Sequence, residues 1–236
     1  GSDAFTDLNL PMQGTYENGR LTWGDCDNDG KKDLLICGAY RIVVMHNDGN
    51  NAFSERKIND PTSYYAASWV DIDNDKDLDI AAIATDDFVN NKLVVFKNNG
   101  KGSFTDAGIN LTVNTYFYAS MDWSDFDNDK DPDLCFSGDN TIKVFRNDAG
   151  TLTEVWAAAD SMQNRARWGD YDNDGDPDIA ASGNYLHISA KTRIYRNDGS
   201  NIFTKITTTS FADVQGEIAF ADFDNDKDLD ISLITG

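Results

Sequence analysis

The stretch Asp71-Ile72-Asp73-Asn74-Asp75-Lys76-Asp77-Leu78-Asp79 puts an aspartate at every odd position of a nine-residue window. The window returns as Asp25-Cys26-Asp27-Asn28-Asp29-Gly30-Lys31-Lys32-Asp33 and again from Asp125, Asp170 and Asp222, five copies in 236 residues. Repetition on this scale is the signature of an architecture assembled from like units, so it governs the reading of everything around it. The windows hold 24 Asp against five Lys, almost the whole of the chain's net charge of −21. A solvated acidic tail would be continuous and poor in aromatics; these clusters instead alternate with apolar segments such as Leu34-Leu35-Ile36 and Ile80-Ala81-Ala82-Ile83.

Two carboxylates ~4 Å apart repel by about 1 kcal/mol in water and ~4 kcal/mol at an effective dielectric of 20, so each cluster calls for a cation. Alternation lets one tight loop turn successive side chains inward, with the backbone carbonyl of position 7 and water completing a shell of ~6 to 8 oxygens, the preference of calcium. The predicted ligands are Asp25, Asp27, Asp29, Lys31 through its carbonyl, and Asp33; then Asp71, Asp73, Asp75, Asp77 and Asp79. The later loops offer Asp125, Asp127, Asp129, Asp131 and Asp133; Asp170, Asp172, Asp174, Asp176 and Asp178; and Asp222, Asp224, Asp226, Asp228 and Asp230, for up to five Ca2+. With no histidine or thiolate at a ligand position, zinc and copper fit poorly.

An EF-hand needs a bidentate Glu at position 12 and flanking helices, but position 12 is Ile36, Ala82, Phe136, Ala181 or Leu233. The flanks read as strands. Successive windows begin 46, 54, 45 and 52 residues apart, the length of a four-stranded propeller blade. One strand ends just before each loop and a second is the apolar run after it. The third is Arg41–Met45 or its counterparts Leu93–Phe96, Ile142–Phe145 and Arg193–Tyr195. Asn47-Asp48-Gly49, Asn98-Asn99-Gly100, Asn147-Asp148-Ala149-Gly150 and Asn197-Asp198-Gly199 are hairpin signals, and a fourth strand follows from Phe53, Phe104, Leu152 or Phe203.

These residues resemble the VCBS/FG-GAP repeat family, calcium-binding blades of surface and secreted proteins related to the integrin α-subunit propeller. The resemblance covers nearly all of residues 1–236 and implies an all-β fold, a β-propeller of four-stranded antiparallel blades, either a small complete ring or part of a larger, for example seven-bladed, one. Residues 4–10 match a fourth strand, and the last unit lacks its third. Position 6 departs from the pattern: Gly30 and Gly175 suit a left-handed backbone, whereas Lys76, Lys130 and Lys227 are expected to bind more weakly or turn differently.

Trp23, Trp69, Trp123, Trp168 and Phe220, each two residues before a window, are expected to pack blade against blade. Cys26, Cys37 and Cys135 read as buried apolar residues, and His46 as a polar strand end. Meander parity puts the calcium loops on one face; the other carries the segments that differ among repeats, with Tyr64, Tyr65, Tyr116, Tyr118, Arg165, Arg167 and Tyr185 as candidate ligand contacts.

The acidic balance argues against nucleic acid, and no apolar run reaches the ~20 residues that cross a bilayer, so neither nucleic-acid binding nor membrane insertion is expected. Millimolar calcium points to an extracellular or cell-surface location. The expected function is a calcium-stabilised recognition or adhesion module for a glycan or protein. An architectural segment of a large surface protein is the alternative, and open sheet edges are expected to favour self-association. Catalysis is not expected: the carboxylates are committed to metal and neither His46 nor His187 has an evident acid, base or nucleophile partner.

Overall fold

The computed structural model describes residues 7, 16–39, 41–58, 63–85, 91–113, 119–138, 141–158, 162–185, 189–207, 213–214 and 216–234. Every regular element among them is a β-strand. The first sheet is β1 (Tyr16–Gly24), β2 (Asp33–Ala39), β3 (Arg41–Gly49) and β4 (Ala52–Lys57). The second is β5 (Ser63–Val70), β6 (Asp79–Thr85), β7 (Asn91–Asn98) and β8 (Phe104–Thr112). The third is β9 (Ala119–Ser124), β10 (Asp133–Gly138), β11 (Thr141–Asp148) and β12 (Thr151–Ala157). The fourth is β13 (Met162–Gly169), β14 (Asp178–Tyr185), β15 (Ser189–Asn197) and β16 (Phe203–Lys205), and β17 (Ile218–Ala221) pairs with β18 (Asp230–Leu233) in a fifth.

Each four-stranded sheet is an antiparallel meander in chain order, a propeller blade. The strand parse expected from the repeats holds: the first strand of every blade ends at the residue before its aspartate loop, and the second begins on the loop's ninth residue. Two strands of the fifth blade are present among the described residues, and the segment 4–10, apart from Asp7, lies outside them.

The core lies between blades. Phe126, Cys135 and Val144 of the third unit meet Ala166, Trp168 and Ile179 of the fourth, with Phe203 closing the layer. Phe126 and Trp168 stack with centroids 5.8 Å apart and planes 1° from parallel. Burying side chains of this size contributes ~1.5–3 kcal/mol each. The tryptophans also clip blades by hydrogen bonds: Trp69 Nε1 donates to Thr22 O at 3.3 Å and Trp123 Nε1 to Ser68 Oγ at 2.9 Å. A Cβ on Gly24 would come within 2.7 Å of Trp69, so the bare backbone there is what lets the ring in. Blade packing therefore holds for Trp69, Trp123 and Trp168, whereas Trp23, on the first blade, is 54% exposed. All three cysteines are free and buried, as expected, and burial pushes the Cys37 thiol up to about 12.

Candidate metal centres

Each aspartate loop is organised by its own carboxylates. In the second, the Asp71 Oδ1 and Oδ2 atoms accept from the amides of Asp75 and Lys76 at 3.1 and 3.0 Å. Asp75 Oδ1 accepts from the Asp77 amide at 2.9 Å. Asp79, buried at the start of β6, accepts from the Ile72 amide at 3.1 Å and, from across the sheet, the Asn98 amide at 2.7 Å. The pattern recurs in the other loops; Asp133, for example, takes the amides of Phe126 and Asn147 at 3.0 and 2.8 Å. Positions 1, 5 and 9 thus shape the backbone while keeping lone pairs for a cation.

Position 3 has a different environment. The Oδ1 atoms of Asp27 and Asp73 are buried without a hydrogen-bond partner. A buried carboxylate oxygen with nothing donating to it is costly, even where the other oxygen of the group is paired, unless a cation meets it. Carboxylate oxygens of positions 1, 3 and 9 converge within 4.8 Å in Asp71/Asp73/Asp79, Asp125/Asp127/Asp133 and Asp170/Asp172/Asp178, and Asp25, Asp27 and Asp29 converge likewise. Burial, and then the neighbouring carboxylates, push Asp79 and Asp178 up to about 6 and Asp133 to about 7, despite the backbone amides that oppose the shift. Hard oxygen donors, crowded negative charge and orphaned position-3 oxygens fit calcium, which would neutralise the cluster and stabilise the loop; the residues that would hold it are those of positions 1, 3, 5 and 9.

The turn geometry corrects one expectation. Position 6 is left-handed in every loop, with φ of 85° at Gly30 and 96° at Gly175 but also 75°, 83° and 81° at Lys76, Lys130 and Lys227. The lysine loops turn as the glycine loops do, and keep the same amide bonds to position 1. Position 4 is left-handed as well: Asn28, Asn74, Asn128, Asn173 and Asn225 have φ of 57° to 63°, within asparagine's tolerance.

Those asparagines do something the spacing does not announce. The side-chain amides of Asn28, Asn128 and Asn173 donate to Asp77, Asp176 and Asp228 of the following loop at 2.8, 2.8 and 2.6 Å, and Asn74 reaches Asp131 in the same way. Position-7 carboxylates are therefore engaged as couplers between loops. The turn asparagines supply a second tie, Asn98, Asn147 and Asn197 donating to the carbonyls of Cys26, Ile72 and Phe126 in the preceding loop at 2.6, 2.9 and 2.9 Å.

His46, on β3 and outside the nine-residue window, adjoins the first cluster. Its Nδ1 lies 3.0 Å from Asp33 Oδ1 and 3.4 Å from Asp27 Oδ2, inside the cluster. Arg56 adds a contact to Asp27 Oδ2 at 3.3 Å, and Lys97, the counterpart of His46, pairs with Asp73 at 2.6 Å. The counterparts Arg146 and Arg196 pair instead with the turn residues Asp148 and Asp198. Hydrogen bonds from Cys26, Asn47 and His46 outweigh burial at Asp33 and hold it below the usual carboxylate range.

The expected ligand face is redistributed. Tyr64 is 2% exposed and packs edge-on against Phe96, so it is a core residue and not a surface contact. Tyr65 beside it is half-buried. Arg165 and Arg167 lie within β13 and not in a loop, facing Glu217 at 2.5 and 3.6 Å. Tyr185 ends β14, its side chain outside the described residues, as are Tyr116 and Tyr118.

The FG-GAP-like repeat pattern matches this sequence over residues 25–82, 71–136, 125–181 and 170–232. No curated protein sequence is similar to it. Among solved structures, an Agrocybe aegerita lectin described for its specific recognition of non-reducing terminal N-acetylglucosamine superposes with a TM-score of 0.60 at 16% identity. The match takes in 92% of this chain and 60% of the lectin chain, so this chain spans less than two thirds of that structure's length. At that identity the likeness is one of fold.

Proposed function

The chain belongs to the FG-GAP-like repeat family, and from that premise we propose that it is a calcium-stabilised, extracellular recognition module that binds a glycan at the end of the blades opposite the aspartate loops. The observation that carries the metal half of this reading is the pair of buried, unpartnered oxygens on Asp27 and Asp73, for which a divalent cation is the matching partner. The metal is structural here: its ligands are wrapped by backbone amides and tied to neighbouring loops, so the ion fixes the blades, and recognition falls to the segments joining them. Calcium at ten times its dissociation constant would add ~1.4 kcal/mol per site, an effect suited to millimolar extracellular calcium. The lectin of like fold, which recognises terminal N-acetylglucosamine, supports a sugar as the ligand.

The test is a glycan-array screen of the calcium-loaded protein with a chelated sample beside it. A calcium-dependent hit supports the reading; a blank array from folded, loaded protein overturns the glycan assignment and favours a protein partner or an architectural role.

A further inference from the structure

The first aspartate loop differs from the others in what its third strand brings to it. Just before the hairpin turn, the second, third and fourth blades carry Lys97, Arg146 and Arg196, cations with no lone pair to offer a metal. Lys97 Nζ sits 2.6 Å from Asp73 Oδ2, and the two arginines turn to Asp148 and Asp198. The first blade has His46 there, a side chain with two ring nitrogens, one of which is a bare donor when the imidazole is neutral.

Both His46 nitrogens face carboxylates. Nδ1 lies 3.0 Å from Asp33 Oδ1 and 3.4 Å from Asp27 Oδ2, while Nε2 lies 3.5 Å from Asp48 Oδ1. The Ser54 hydroxyl donates to that Asp48 oxygen at 3.1 Å and holds it in place. A carboxylate against Nε2 favours the proton there and leaves the Nδ1 lone pair toward Asp27 and Asp33, the arrangement by which proteins orient a metal-binding imidazole. One ligand atom each from Asp27, Asp33 and His46 lie within 4.8 Å of one another, on side chains only 14%, 0% and 12% exposed.

A positive charge must stand between Nδ1 and these anions, and a proton is the poorer candidate. It would serve Asp33 Oδ1, which already accepts from the Asn47 amide at 2.8 Å, and would leave Asp27 Oδ1 buried without a donor. Arg56 reaches the other Asp27 oxygen, Oδ2, at 3.3 Å and does not relieve Oδ1. A metal ion answers Nδ1, Asp27 and Asp33 together. The loop's own oxygen set is also poorer here, because position 7 is Lys31 and its ammonium pairs with Asp29 at position 5.

We propose that Asp27, Asp33 and His46 form a site for a transition-metal ion of the Zn2+ type, so that the first loop differs in metal from those that follow. Imidazole nitrogen suits zinc and its neighbours, whereas calcium takes oxygen; two carboxylates, one imidazole and a water make the four-coordinate shell that zinc adopts. The site rests on the reading of the aspartate loops as metal centres, and narrows it by the nitrogen donor that the nine-residue windows lack.

Calorimetric titration of Zn2+ into protein held in millimolar calcium tests this, with a calcium titration of the same protein beside it. A single zinc per chain is expected to bind, and His46→Gln to weaken it by about tenfold or more. His46→Arg, which restores the residue type of the third and fourth blades, should lose the zinc and stay folded. The other histidine of the chain is His187, so zinc binding should be unmoved by His187→Gln. No zinc binding, binding indifferent to both His46 substitutions, or binding lost on His187→Gln would overturn the proposal. Calcium bound without zinc would overturn this site and leave the calcium reading standing; zinc bound by protein that takes no calcium would keep the site and overturn that reading.

Discussion

Asn128 Nδ2 donates to Asp176 Oδ1 at 2.8 Å, joining the fourth position of one aspartate loop to the seventh of the next. The same link runs from the first loop to the fifth, so a chain of asparagine and aspartate side chains stitches the loop ends of consecutive blades together. Position 7 of the first loop is Lys31, which pairs instead with Asp29 of its own loop. Because the bond lies on the exposed side of the loops, its net worth is that of a charge-assisted hydrogen bond partly screened by water.

Asn128→Ala should therefore lower the unfolding free energy by about 1 kcal/mol for the lost bond and by a further ~0.5–1 kcal/mol for placing alanine at φ of 63°. A cycle with Asp176→Ala should recover most of the first part as coupling. Denaturant melts of the four proteins would reveal it, and strictly additive losses would mean that the link contributes no coupling.

At the third position of a loop the effect should depend on metal. Asp73→Asn removes an oxygen donor and the charge on a buried, unpartnered atom. Losing one site's linkage costs about 1.4 kcal/mol at ten times the dissociation constant. The substitution should thus cost more in calcium than in chelator by about that amount; equal costs in the two conditions would remove Asp73 from the ligand set.

The left-handed lysines offer a test of loop strain. Lys130 has φ of 83°, where a Cβ is disfavoured, so Lys130→Gly should stabilise by ~0.5–1 kcal/mol. Gly175→Ala should destabilise by about the same amount, since a Cβ there meets nothing within 4 Å and backbone strain alone counts. Thermal melts of both variants should move in opposite directions.

Acid should affect the chelated and loaded proteins differently. The folded pKa values of Asp79, Asp178 and Asp133, about 6, 6 and 7, lie above the ordinary carboxylate value, so the folded state binds protons that the unfolded state does not. Without calcium, stability contributed by these protons is present at low pH and is lost as pH rises through 6 to 7. Calcium competes with the same protons, so the gap between loaded and chelated melting temperatures should narrow on going from about pH 7.5 to about pH 5. A gap that widens on acidification would contradict the ligand assignment.

The strand order and the aspartate loops were legible because a repeated window sets a period, and the first two strands of each blade fall at a fixed offset from it. What the period could not convey was the partner of a side chain. Asn28 looks like a turn former and is also a tie to the next loop; His46 looks like a strand end and sits on Asp33. Tyr64 reads as a loop aromatic but β5 carries it into the interior, and Arg165 and Arg167 turn on a strand toward Glu217. In each case the deciding contact is with a residue of another blade or another strand, a distance that local spacing does not encode.

The central claim is that the aspartate loops bind calcium and that calcium holds the blades. Calorimetric titration of calcium into chelated protein, with the melting temperature followed at each ratio, addresses it directly. The account predicts saturable binding of more than one and at most five ions per chain, with the melting temperature climbing in step. No heat of binding and an unchanged melt at millimolar calcium would contradict it.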